Sequence, residues 1–469
     1  MTRFPACWSR ILVATLFIAC RSDSTAPSSM ILPEIHSSSA TANPDNVLSA
    51  IVLVDVRDAD SVAVQFHLVD AVSSQDSVTP AVRPAANAVT IAVLGLLPSR
   101  SYSLRAVAYA AGGKTAGDEI FITTGALPPD LPVYTASGED PSAGYVVFAA
   151  GPYGIVIDNT GRVVWYHRFP YGAGLSFMAE PNGRYVAKPG TATPAPSDPW
   201  VELDILGNVT RSLGCAQSLA PRPHDLIGQS DGSYWLMCDE VRTMDLSSVG
   251  GVTGARVTGT MVQHVSAGGV VLFQWSPFDH FDITDGELSD RKGAAVNWTH
   301  GNAIDLDADG NLLVSFRNLN EITKIDVASG GVIWRMGGRR NQFSFVDSPL
   351  PSFAGQHSVR VSGVGEIAFL DNIGTPGESR AKRYNVNTLA HTAQLAGIYT
   401  ASPAAATQIG GSVQPTEKGR TLVSFGTAGR VEEYDANGRV VWRIDGNAGY
   451  VFRAERILSL YTPGVGTSR

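Results

Sequence analysis

The sequence predicts an all-β protein in which a β-sandwich is followed by a six-bladed β-propeller. Three observations carry this. Hydrophobic residues make up 44% and charged residues 17% of the 469 residues, with 48 Gly and 27 Pro, a balance that suits many short strands and turns. Residues 41–124 form short alternating apolar runs, SAIVLVDV, SVAVQFHLV, NAVTIAVLGL, SYSLRAVAYA and DEIFITT, broken by Pro, Asn, Asp and Gly. Beyond them one hairpin pattern recurs six times.

The first twenty residues read as an export signal. Arg3 and Arg10 supply positive charge, ILVATLFIA (11–19) is too short an apolar stretch to span a bilayer, and Cys20 follows. LFIAC resembles a bacterial lipobox with Cys20 as the lipidated residue, although Phe17 stands where Leu is usual and ordinary secretion stays open. The expected location is therefore the periplasmic or cell-surface face of a bacterial membrane, reached through a lipid anchor, or else the medium. Residues 21–40 then serve as a flexible tether. Cys215 and Cys238 remain as a disulfide candidate in an oxidising compartment or as two buried thiols.

The sandwich is expected over 41–125. LLPSRSYSLRAVAYA (96–110) resembles the fibronectin type III signature, an immunoglobulin-like architecture in which a Leu-x-Pro turn precedes a Tyr that pins the next strand. ALPPDLP begins a stiff linker at 126–135. The propeller is expected over 136–469. Its hairpins are DNTGRVVW (158–165), DILGNVT (204–210), SAGGVVLFQW (266–275), DVASGGVIW (326–334), NVNTLAHTAQ (385–394) and DANGRVVW (435–442), spaced 46 to 62 residues apart. A second hairpin series alternates with them. Two hairpins per period give a four-stranded sheet, and sheets repeated at this period indicate a propeller. β-Helix coils are shorter than this, and a second sandwich would not repeat.

The formal net charge of -8 comes without a basic run, so neither nucleic acid nor an anionic membrane surface is an expected partner. A small anion in a local cationic pocket is compatible with that charge. The second hairpin series points to one. His224, His300 and His357 precede their turns at Asp231, Asp309 and Gly365 by seven, nine and eight residues. They thus begin equivalent strands in three successive blades, and a propeller converges its innermost strands on one axis. Arg317 and the pair Asp371 and Asn372 leave the same hairpins, and period-two alternation sends Asn302 to the side of His300. Imidazoles, an amide and a guanidinium around a channel mouth suit a tetrahedral oxyanion. A three-histidine zinc site competes, but a permanent cation next to it opposes a divalent metal, and no metal is expected. WSPFDHFDITD (275–285), with His280, lies in the longest insertion and reads either as a substrate-covering loop or as a cap on the rim.

These residues resemble the bacterial exported arylsulfate sulfotransferase family over about 144–442. The most specific parts are WTHGNAIDLDADGNLLVSFRNLNEITKIDVASGGVIWRMGG, with its H-x-N and S-x-R, and GQHSVRV followed by FLDN and by Ser379-Arg380. The resemblance implies a six-bladed propeller with an added sandwich, and transfer of a sulfuryl group from an aryl sulfate donor to a phenolic acceptor without a nucleotide sulfate donor. His357 matches the transiently sulfurylated histidine, His300 and Arg317 the sulfate-binding pair, and His224 the further channel histidine. Asn302, Asn372, Asp371, Arg380 and His280 are the candidate substrate-binding residues. A sulfo-histidine intermediate implies ping-pong kinetics, with no metal or organic cofactor. Rival readings are a non-catalytic propeller that binds anionic small molecules, an aryl sulfate hydrolase using the same site, and a quinoprotein-like dehydrogenase, which would need carboxylates where histidines stand. Which flanking histidine handles protons, and the oligomeric state, are open at this point.

Overall fold

A computed structural model describes residues 31–70, 76–348 and 353–464. The expected signal and Cys20 lie outside the described residues. Two antiparallel sheets form first. Glu34–Ala42, Ser49–Arg57 and Ala88–Leu94 make one; Ser77–Val78, Ser61–Leu68, Ser101–Ala110 and Gly113–Thr123 make the other. Val52, Val54, Val64, Ile91 and Leu104 fill the space between them. Tyr102 behaves as its position suggested: its hydroxyl accepts the Leu97 N–H at 2.8 Å and so fixes the turn before its own strand. The expected tether is shortened, because Glu34–Ala42 is already a strand paired with Ser49–Arg57, and His36 stands on it.

From Ala136 to Ile457 the described residues carry six further sheets of four or five strands. The repeat explains their construction. In DNTGRVVW, DILGNVT and DANGRVVW the leading Asp158, Asp204 and Asp435 each accept two backbone N–H groups of their own turn through Oδ1. The tryptophans then stitch sheet to sheet. Trp165 Nε1 donates to Ile205 O at 2.8 Å, Trp200 to Arg222 O at 3.0 Å and Trp442 to Asn159 O at 2.9 Å, each reaching the following sheet. All three rings are fully buried, and each such side chain contributes about 3 kcal/mol from apolar area alone.

The ring of sheets closes through both ends of the segment. Ala136–Gly138 joins the sixth sheet as its outer strand beside Val440–Ile444, and Ala454–Ile457 joins the first sheet beside Tyr145–Ala150. The innermost strands then neighbour one another. Ala220–Gly228, Gly301–Leu306 and His357–Gly363 are edge strands of the third, fourth and fifth sheets. Each departs from regular pairing at its histidine end: the register shifts between Pro221 and Leu226, between Gly301 and Ala303, and between His357 and Arg360. Such bulges turn side chains out of strict alternation.

One carboxylate joins these strands. Asp225, fully buried, pairs with Arg360 at 3.0 Å and Arg453 at 3.4 Å and accepts the Ile304 N–H at 3.1 Å. It therefore touches the innermost strands of the fourth and fifth sheets and the residue before Ala454–Ile457. Cys215 and Cys238 are bonded to each other with Cα atoms 6.1 Å apart, an ordinary disulfide separation. The bridge fastens the strand Tyr234–Met244 to the segment leading into the strand of His224.

Replacing both Cys215 and Cys238 by Ser should cost about 3 kcal/mol through the loop released in the unfolded chain. Asp225→Ala should cost more, about 3 to 5 kcal/mol, since it leaves two buried guanidinium groups uncompensated. Urea unfolding followed by tryptophan fluorescence reads both.

Candidate functional site

Three histidines distant in sequence meet beside one phenylalanine. The rings of His224 and His300 lie 5.1 Å apart, edge to face, and Phe452 packs at 5.6 Å from His224 and 6.1 Å from His357. Backbone geometry aims them. His300 has φ +47 and the residue after His357, Ser358, has φ +61, left-handed conformations that non-glycine residues adopt at a cost of the order of 1 kcal/mol. His224 and His357 are almost entirely buried, and His300 is partly exposed.

The hydrogen bonds of His357 determine its proton. Asn372 Nδ2 donates to the carbonyls of Thr407 at 3.0 Å and Gly410 at 2.9 Å, which turns Oδ1 toward the imidazole. Nδ1 of His357 lies 2.9 Å from that oxygen and 3.0 Å from Gly355 O. Both are acceptors, so the neutral ring carries its proton on Nδ1 and its lone pair on Nε2. The Gly410 N–H meets that lone pair at 3.3 Å. His300 is arranged in the opposite sense: Asn297 Nδ2 lies 2.6 Å from its Nδ1, leaving Nε2 as the N–H donor.

Arg317 supplies a cation with no carboxylate in contact among the described residues, Asp290 acting on it without direct contact. Its Nη1 donates to Asn318 Oδ1 and its Nη2 to Gln408 O, both at 3.1 Å, while the buried Nε has no partner among the described residues. Arg222 is a second cation, paired with Asp239 and donating from Nε to Gly301 O at 3.2 Å. Burial and these charges keep the histidines neutral. Burial pushes His300 down to about 3, helped by Arg222 and Arg317. Burial likewise brings His357 down to about 4, with Arg317 adding to the shift and the Asn372 bond opposing it. His224 falls well below the usual imidazole range, first through burial and then through Arg222.

The remaining candidates are placed differently. Asn302 lies inside the bulge of its strand, and its amide donates to Gln356 O at 2.7 Å, so it spaces the His300 and His357 strands where alternation suggested a channel-facing side chain. Asn372, expected to touch substrate, faces His357 Nδ1 instead. Asp371 is held instead by Lys382, 2.8 Å away and equally buried, and accepts the Gly374 N–H at 2.9 Å. Arg380 pairs with Glu378 and has no contact with the histidines. His280 is exposed and stacks on Trp275 at 5.0 Å, and its insertion is pinned by the buried Asp285, which holds Arg335 at 2.8 Å and Arg340 at 2.7 Å. Among the described residues no group of three or more His, Cys, Asp or Glu is arranged to hold a metal ion.

Sequence reasoning missed Arg222, Asn297, Phe452, and the hub of Asp225, Arg360 and Arg453. Asp225 directly follows His224 and Arg360 lies three residues after His357, so strict alternation put them off the axis. Phe452 and Arg453 belong to a C-terminal strand region, VFRAERI, that follows the last repeat and that ring closure requires. On this geometry, ¹⁵N-imidazole titration should give midpoints near 4 for His357 and near 3 for His300, against about 6.5 for an unperturbed imidazole.

No curated protein matches the chain. Solved structures that resemble it include a protein of unknown function from Bacteroides caccae (12% identity, TM-score 0.43, covering 66% of this chain and 98% of that one). A streptogramin B lyase is similar at 14% identity and TM-score 0.38, covering 66% of this chain and 82% of the other. Virginiamycin B lyase from Staphylococcus aureus is similar at 12% identity and TM-score 0.32, covering 75% and 93%. The family model of arylsulfotransferase (ASST) matches residues 220–447, the segment that contains all three histidines, Arg317 and Asn372. Over residues 220–447 the chain is thus similar to the arylsulfotransferase family.

Proposed function

We propose that this protein moves a sulfuryl group from an aryl sulfate ester to a phenol by a ping-pong route through a sulfo-histidine at His357. The observation that carries the reading is the pairing of a neutral His357, with its lone pair on Nε2, and Arg317, a half-buried guanidinium with no carboxylate partner among the described residues. In the first half-reaction Nε2 attacks sulfur, the N–S bond forms, the S–O bond to the aryl group breaks and phenolate leaves. In the second, a phenol oxygen attacks the same sulfur, the N–S bond breaks, and the phenol proton leaves to His224. The Gly410 N–H yields its place at Nε2 as the donor arrives.

Sulfuryl transfer, like phosphoryl transfer, passes through a loose transition state, so the protein contributes mainly position and charge. Arg317 and the Nε2–H of His300 hold the equatorial oxygens. Depressed imidazole basicity keeps His357 unprotonated at neutral pH and available to attack. In the same reading the six sheets are the blades of a propeller over 136–469. The two N-terminal sheets are a fibronectin type III-like sandwich, and the protein is exported and held through Cys20.

The test is 4-nitrophenyl sulfate with and without a second phenol. Nitrophenolate release should depend on the phenol, vanish in His357→Ala, and fall about a hundredfold in Arg317→Ala, the loss of roughly 3 kcal/mol of oxyanion stabilisation. Steady release without any phenol would assign water as the acceptor. No release from folded protein would overturn the reading.

A further inference from the structure

The nucleophile proposed above has two nitrogens, and only the one with a free lone pair can attack. In water a neutral imidazole exchanges its proton between both, so a site that needs Nε2 gains by holding the proton on Nδ1. The cluster around Asn372 supplies that constraint.

An amide side chain can face either way unless its neighbours differ. Here they do. Asn372 Nδ2 is enclosed by two carbonyls, Thr407 O and Gly410 O, both of which need a donor. A reversed amide would set Oδ1 against both and lose both hydrogen bonds. Thr407 is itself held in place. Ser379 Oγ lies 2.8 Å from Asn372 O and 3.1 Å from Thr407 O, and accepts the Thr407 N–H at 2.7 Å. The segment 402–411 is thus tied to Asn372 from the side opposite His357. It also reaches the reacting groups: Gln408 O takes an Arg317 N–H and the Gly410 N–H meets His357 Nε2.

We propose that Asn372 is a positioning residue that holds the proton of His357 on Nδ1 and thereby makes Nε2 the attacking nitrogen. It replaces the substrate contact expected of Asn372 from sequence and rests on the sulfuryl-transfer reading. Gly355 O accepts from the same Nδ1, so removing Asn372 relaxes the preference without reversing it.

The test uses the full-length protein with ¹⁵N-labelled histidine, the His357 resonances being assigned by their absence in His357→Ala. The wild type should show a protonated Nδ1 and an unprotonated Nε2 at pH 7. Asn372→Ala should show a measurable Nε2–H population. It should also release the first equivalent of nitrophenolate about tenfold more slowly, with the donor KM changed less than about twofold. A role confined to tying the 402–411 segment would leave the tautomer where it is. An Nε2–H wild type would overturn the proposal even if Asn372→Ala did not fold. An unchanged tautomer and unchanged first-turnover rate in folded Asn372→Ala would overturn it too. A wild type that never releases nitrophenolate would defeat the sulfuryl-transfer reading, and the proposal with it; the spectrum and the variant test the positioning role alone.

Discussion

Burying Asp225 is the constraint on which the central part of the molecule depends. A carboxylate in the interior is tolerated only with charge and hydrogen bonds around it. Here Arg360, Arg453 and the Ile304 N–H provide them. Because each comes from a different stretch of chain, satisfying one charge fixes the spacing of several innermost strands. The candidate site residues lie close to the hub in sequence: His224 precedes Asp225, His357 lies three residues before Arg360, and Phe452 precedes Arg453. Arg453 also donates to the His224 carbonyl at 3.2 Å. The same bonds that neutralise the interior therefore also fix the backbone that carries His224 and the strand that carries His357. A second buried carboxylate, Asp305, accepts the Val361 N–H at 2.8 Å, and burial raises it to about 6 against the pull of Arg360.

Electrostatics at the site follow from this arrangement. Arg317 stands outside the hub; among the described residues its hydrogen bonds go to an amide and a carbonyl, and Asp290 acts on it without direct contact. Its charge lies beside imidazoles that stay neutral. Neutral imidazoles beside the guanidinium groups of Arg222 and Arg317 suit an anion. The two asparagines complete the division of labour: Asn297 leaves His300 as a donor and Asn372 leaves His357 as an acceptor, so chemically identical rings present opposite faces.

The bulges explain why the local rule failed where it did. Period-two alternation assigns one face to His300 and Asn302 together, but the register shift between Gly301 and Ala303 separates them. Asp371 and Asn372 were read as a polar pair leaving a hairpin. Lys382 on the neighbouring strand captures the first and His357 the second, and neither partner is near in sequence. Arg380 and His280 have local partners, Glu378 and Trp275.

The sequence by itself determined the all-β class, the six-fold repeat and its Asx turns, the Tyr102 corner, and the registration of His224, His300 and His357. All of these rest on local patterns: period two, turn chemistry and fixed offsets within a repeat. Tertiary structure decided the union of Cys215 with Cys238, the closing strand Ala454–Ile457, the hub at Asp225, and the orientation of each imidazole. Those depend on which group finds which partner, a choice made across 23 positions between Cys215 and Cys238 and across 135 between Asp225 and Arg360. No local pattern records that choice, because it is made by the cost of leaving any buried charge or hydrogen-bonding group unpaired.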